Sequence, residues 1–144
     1  INGRHGTPSY TPVRYVNTVC DQGLLTGFYR LARVALVTPM RDGMNLVAKE
    51  YVAAQDPDDP GVLVLSEFAG AAQELTEALL VNPFDIHGVA QALERALQMP
   101  LLERVQRHRA MLKRLRSHDI ERWHQRFLAD LFACHSQTLE RTGS

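Results

Sequence analysis

Two acids and a glycine lie close together in one stretch whose chemistry suits a sugar and a phosphate. In Arg41-Asp42-Gly43-Met44-Asn45-Leu46-Val47-Ala48-Lys49-Glu50-Tyr51, seven residues separate Asp42 from Glu50. An ionised carboxylate only accepts hydrogen bonds, so it pairs well with sugar hydroxyls. Gly43 lets the backbone turn sharply or come close to a ligand. The elements on either side must hold these groups. Val34-Ala35-Leu36-Val37-Thr38 is short, apolar and rich in β-branched residues, and it reads as a strand buried on both faces. Pro39 cannot continue a ladder and closes it. Met44, Val47, Ala48, Tyr51 and Val52 then recur at helical spacing. Strand, polar turn and helix follow in that order. The unpaired amides and positive dipole end of the helix start make a phosphate seat. Spacing alone favours a plainer account, since any α/β protein has several such turns. In that account Asp42 is a helix cap and Glu50 a solvated neighbour of Lys49.

The wording of the run says more than its spacing. Leu36 to Ala53 closely resembles glycosyltransferase family 20, the trehalose-6-phosphate synthases. The resemblance continues through Gly61-Val62-Leu63-Val64-Leu65-Ser66-Glu67-Phe68-Ala69-Gly70-Ala71 and Leu80-Val81-Asn82-Pro83-Phe84-Asp85, and it runs from Ile1 to about Asp130. It implies a two-domain GT-B fold whose carboxyl-terminal domain binds a nucleotide sugar. Residues 1–99 would be part of that domain and residues 100–144 its terminal helices, the last crossing to a missing amino-terminal domain. The implied reaction is glucosyl transfer from UDP-glucose to glucose 6-phosphate with retained configuration, giving trehalose 6-phosphate and UDP. By the same resemblance Asp42 contacts glucose hydroxyls. The amides of Gly43, Met44, Asn45 and Leu46 face the glucose and diphosphate, and Glu50 holds the ribose hydroxyls. The catalytic histidine and a basic pair would lie upstream of Ile1, so no catalytic residue is assigned here. Neither a metal nor a cofactor is implied. One departure is Arg33, where the family usually has an acid. A non-catalytic nucleotide-sugar-binding or assembly module is the alternative. The donor's nucleotide and the oligomeric state, a homo-oligomer included, stay open.

Composition sets the outer bounds. The 144 residues make one domain or part of one, and a start at Ile1 rather than Met suggests a piece of a longer protein. Zero formal net charge gives no electrostatic case for nucleic acid or a membrane surface. No apolar run approaches the ~20 residues that cross a bilayer, and no secretory signal is visible. Cys20 and Cys134 form no metal or redox motif and point to a reducing compartment, the cytoplasm. Eight of the sixteen Lys and Arg fall between Arg104 and Arg126, diluted by acids, and read as solvated helix faces.

Along the chain, residues 1–12 look irregular and Val13 to Val16 a short strand. Asp21 to Leu31 reads as a helix with Leu24, Leu25, Phe28 and Leu31 on one face. A strand is expected over Val62 to Leu65, a helix over Ala71 to Leu75 and a strand over Ala78 to Val81. Asp85 can cap a helix running to about Leu97 with Ile86, Val89, Ala90, Leu93 and Leu97 inward. Leu101, Val105, Leu112 and Leu115 belong to one amphipathic helix. Ser117 or Asp119 caps the next, with an apolar stripe from Ile120 to Leu131 that includes Trp123 and Phe127 and is wide enough to serve two surfaces. Strands alternating with helices across short loops predict an α/β fold, a parallel Rossmann-like sheet with flanking helices. Both strand-to-helix turns, Pro39 to Asn45 and Ser66 to Gly70, would lie at the carboxyl ends of strands, where such sheets bind ligands.

Overall fold

Residues 1–117 are described by a computed structural model. The expected helix from Ile120 to Leu131, with Trp123 and Phe127, lies outside the described residues.

A short helix α1 (Asn2–His5) opens the chain, followed by α2 (Gln22–Leu31), strand β1 (Val34–Val37) and α3 (Leu46–Ala54). Strand β2 (Val62–Ser66), a single 3₁₀ turn (Gly70–Gln73) and β3 (Leu79–Val81) come next, then α4 (Ile86–Gln98) and α5 (Leu101–Ser117). The strands form one parallel sheet in the order β1-β2-β3, with Val34 opposite Val62 and Val64 opposite Leu79. Side chains alternate across a strand, so β2 feeds two cores. Leu63 and Leu65 pack with Ala48, Tyr51 and Val52 of α3 and Met111 of α5. Val62 and Val64 pack on the opposite face with Val89, Ala92, Leu93 and Ala96 of α4. Helices thus cover both faces, as the alternation of elements predicts. Among the described residues no helix is long and apolar enough to cross a membrane.

Several expectations change. Strand β2 is buried along its whole length. The first strand is not, because β1 is an edge of the described sheet and leaves Leu36 45% exposed. Val13 to Val16 is not a strand. It is exposed, and the side chain of Asn2 bonds both backbone groups of Val13 (2.8 and 2.9 Å). Helix α2 is capped by Asp21, which accepts from Leu24 N at 2.9 Å. Its inward residues are Tyr29 and, just beyond its end, Ala32. Leu24, Phe28 and Leu31 are exposed. The inward face of α4 is rotated from the expected one, leaving Ile86, Ala90 and Leu97 outside. Small Ala92 and Ala96 let the helix settle close to the sheet.

The largest revision is α5. Arg104, His108 and Met111 are its buried residues, while Leu101 is half exposed. The Arg104 guanidinium reaches Asp59 Oδ1 at 2.6 Å and the Pro60 carbonyl, and His108 Nε2 lies 3.0 Å from Val52 O. Arg107 donates to Glu77 O at 2.8 Å, and Arg114 to Glu74 O at 3.1 Å and to the Glu77 carboxylate at 2.7 Å. Arg104, Arg107 and Arg114 thus rivet α5 to the loops under it, while Arg109, Lys113 and Arg116 stay exposed, as a solvated face requires. Buried polar groups are tolerated when each finds a partner of this kind.

Tyr51 is the largest fully buried side chain among the described residues. Its hydroxyl donates to Ala32 O at 3.0 Å, and burial pushes its pKa up to about 12. Gln55 joins the same corner, donating to Tyr29 O and accepting from Gly61 N at 2.7 Å. Through these bonds α2 and the start of β2 are both fixed to α3.

Candidate functional site

The turn after β1 is built by the side chain of Asp42. Its Oδ1 accepts from Met44 N at 3.1 Å and its Oδ2 from Asn45 Nδ2 at 3.0 Å. Asn45, held in this way, is the helix cap: its Oδ1 accepts from Ala48 N at 2.9 Å. Asn45 has φ 69°, and it is the one non-glycine with positive φ among the described residues. Asn tolerates that left-handed conformation better than most side chains. The helix therefore begins at Leu46, two residues later than the apolar stripe implied, and Asp42 orients the cap instead of being it. A first helical turn leaves amides without intrahelical partners. Asn45 satisfies that of Ala48, and the helix start remains a donor-rich surface.

The turn is also sewn to the next strand-to-helix connection. Asp42 N donates to Phe68 O (3.3 Å), Gly70 N to Asp42 O (3.0 Å) and Ala71 N to Met44 O (2.8 Å). Asp42 and Ala69 thereby continue the parallel pairing past the strand ends. The segment after β2 is one 3₁₀ turn in place of the expected α-helix. Two glycines now divide the labour. At Gly43 an added Cβ would meet nothing within 4 Å and the φ is not positive, so the fold itself does not require a glycine there. At Gly70 a Cβ would collide with the backbone of Gly43, coming within 2.8 Å of its carbonyl carbon. Gly70→Ala is accordingly expected to destabilise the protein by roughly 1–3 kcal/mol, the usual cost of overpacking, and to disturb the turn. Gly43→Ala should stay within about 0.5 kcal/mol of wild type. Denaturant melts of the two variants check this.

Asp42, Gly43, Met44, Asn45 and Leu46 are thus gathered in one turn at the carboxyl end of β1. Glu50 lies one helical turn beyond Leu46 on the same exposed side of α3. It is not paired with Lys49, which reaches across to Glu74 at 2.8 Å. Its partner is the Tyr29 hydroxyl on α2, 3.4 Å from Glu50 Oε2. Burial, then the charge and hydrogen bond of Glu50, raise the Tyr29 pKa. Arg33 sits at the opposite, amino-terminal end of β1, 3.4 Å from Asp59. Phe68 and Phe84 pair on the carboxyl side of the sheet with ring centroids 6.1 Å apart. Sequence reasoning missed Gly70, Tyr29 and the capping role of Asn45. An Asn directly before a helical run was the available signal for the last.

The sequence profile of glycosyltransferase family 20 matches residues 1–133. The chain belongs to glycosyltransferase family 20. Within this family it is 61% identical over 131 residues to the trehalose-6-phosphate synthase of Enterobacter sp. (strain 638), covering 91% of this chain and 28% of that protein. Among solved structures it resembles an E. coli protein bound with UDP-2-fluoro glucose, with a TM-score of 0.86 and 58% identity over 90% of this chain and 29% of the other. A UDP-forming alpha,alpha-trehalose-phosphate synthase from Burkholderia xenovorans in complex with glucose-6-phosphate also matches, with a TM-score of 0.86 and 56% identity over 90% of this chain and 29% of that one. The chain therefore spans less than a third of the length of these family members.

Proposed function

We propose that these residues form the donor-binding part of a trehalose-6-phosphate synthase. The whole enzyme would transfer glucose from UDP-glucose to glucose 6-phosphate with retained anomeric configuration, releasing trehalose 6-phosphate and UDP. The observation that carries this reading is the Asp42–Leu46 turn, a carboxylate and a helix start held rigid at the carboxyl end of a parallel strand. Similarity to proteins that bind UDP-2-fluoro glucose and glucose-6-phosphate supports the choice of donor and acceptor.

Each residue then has a physical task. The two Asp42 oxygens each have one partner within the turn. A carboxylate has about four lone-pair sites, so it can still accept from glucose hydroxyls. The amides of Gly43, Met44, Asn45 and Leu46 line the helix start, and those left free donate to the diphosphate as negative charge grows on it. Glu50, exposed one turn along α3, takes the ribose hydroxyls. Residues 1–99 serve the nucleotide sugar, and the acceptor site and the remaining basic groups come from the amino-terminal domain. The cytoplasm is the compartment we assign. The test is the whole enzyme supplied with UDP-glucose and glucose 6-phosphate. Trehalose 6-phosphate and UDP should appear in equal amounts. Saturable UDP-glucose binding without turnover would make the protein a binding or assembly module instead.

A further inference from the structure

Glu50 is an exposed side chain with three rotatable bonds, so something must aim it if it is to hold a ligand. The one side chain that bonds it among the described residues is Tyr29. Tyr29 is itself firmly placed. Its ring stands edge-on to that of buried Tyr51, centroids 6.4 Å apart and planes at 82°. Its backbone carbonyl accepts from Gln55, whose side chain is buried and also holds Gly61 N. The ring is half-buried, and its hydroxyl meets Glu50 Oε2 at 3.4 Å. The tyrosine lies 21 positions before its acid, on a different helix, and no local motif joins them.

We propose that Tyr29 is a positioning residue that presents the Glu50 carboxylate to the vicinal ribose hydroxyls of a nucleoside diphosphate sugar. The inference rests on the reading of Glu50 as the ribose-binding acid. A carboxylate gripping both hydroxyls of a diol needs both oxygens in one plane facing the sugar. A donor behind one oxygen fixes that plane and lowers the ordering cost of binding. The Tyr29 hydroxyl stays protonated at neutral pH, since its pKa lies above the ordinary value, and it therefore donates throughout the working range. Ribose is remote from the bond that breaks. Its contacts are alike in the ground and transition states and appear in KM, not kcat.

The experiment compares the whole enzyme with its Tyr29→Phe, Glu50→Ala and doubly substituted forms. Each is given UDP-glucose and the 2′-deoxyuridine analogue of that donor. Tyr29→Phe keeps the ring against Tyr51, so its melting temperature should match wild type. Its KM for UDP-glucose should rise about three- to fivefold, a modest effect suited to a long, half-exposed hydrogen bond, with kcat within about twofold. Preference for the ribose donor over the deoxyribose donor should shrink by a similar factor. In the Glu50→Ala background Tyr29→Phe should add nothing. An unchanged preference in Tyr29→Phe, with the preference lost in Glu50→Ala, overturns the role of Tyr29 and leaves Glu50 standing. An unchanged preference in Glu50→Ala overturns both.

Discussion

Asp42→Ala should lower kcat/KM for UDP-glucose by at least ten- to a hundredfold in the whole enzyme. Loss of a hydrogen bond to a charged group costs about 1.5–3 kcal/mol, and each 1.4 kcal/mol is a factor of ten. The structure adds a second loss. The same carboxylate holds Met44 N and Asn45 Nδ2, and Asn45 in its left-handed conformation caps α3. Removal frees the cap, which alone is worth about 0.5–2 kcal/mol of stability. The donor amides then lose their fixed positions as well. Glu50→Ala removes a remote ligand contact and one long, half-exposed bond to Tyr29, so it should raise KM tenfold or more and shift the melting temperature little. Asp42→Asn separates the two roles of Asp42. It keeps an oxygen for Met44 N but sets an amide against Asn45 Nδ2, so stability falls partway and donor use falls further. Steady-state kinetics and thermal melts on the three variants check these outcomes. Near wild-type kinetics in both alanine variants would return Asp42 and Glu50 to purely structural work.

Where the sequence was informative, short-range chemistry was the reason. The β1–turn–α3 unit was legible because an apolar run, a proline and a helical stripe follow one another within some twenty residues. The full burial of β2 followed from an uninterrupted apolar run, and the Asp85 cap from its place before α4, where it accepts from Gly88 N at 3.0 Å. What stayed hidden was long-range. Periodicity counts only apolar residues, so it grouped Leu101, Val105, Leu112 and Leu115 on one amphipathic helix, of which Leu112 and Leu115 pack against the core. It could not see that Asp59, Pro60 and Val52 offer partners to Arg104 and His108. The steric need at Gly70 arises from the Gly43 backbone, 27 positions earlier, and no local pattern reports such a contact. In the candidate site, the motif's five residues fall in one turn after β1. The division of duties within it, Asp42 bracing and Asn45 capping, needed side-chain geometry.

The isolated 144-residue chain should form no trehalose 6-phosphate at anything near the rate of the whole enzyme. The Asp42–Leu46 turn, which we propose seats the donor, is braced by bonds that lie within residues 42–71. Transfer also requires the acceptor oxygen to be held against the anomeric carbon. Holding two reactants in attack geometry can supply about 7–11 kcal/mol of a barrier, more than the donor contacts themselves provide. A glucose 6-phosphate site calls for clustered cations facing the turn. Of the cations on α5, Arg104, Arg107 and Arg114 are engaged with Asp59, Pro60, Glu74 and Glu77, fastening that helix to loops. The chain covers under a third of the length of its relatives. Binding of UDP-glucose should persist but be weak, because the diphosphate would have amides and no cations. Met40, Leu46 and Phe84 on the exposed carboxyl side also leave apolar surface that favours self-association. Calorimetric titration with UDP-glucose and a coupled UDP-release assay with glucose 6-phosphate present measure the two halves of this expectation. Turnover near that of the whole enzyme would mean that the acceptor site lies within these residues and that the donor turn has been misassigned.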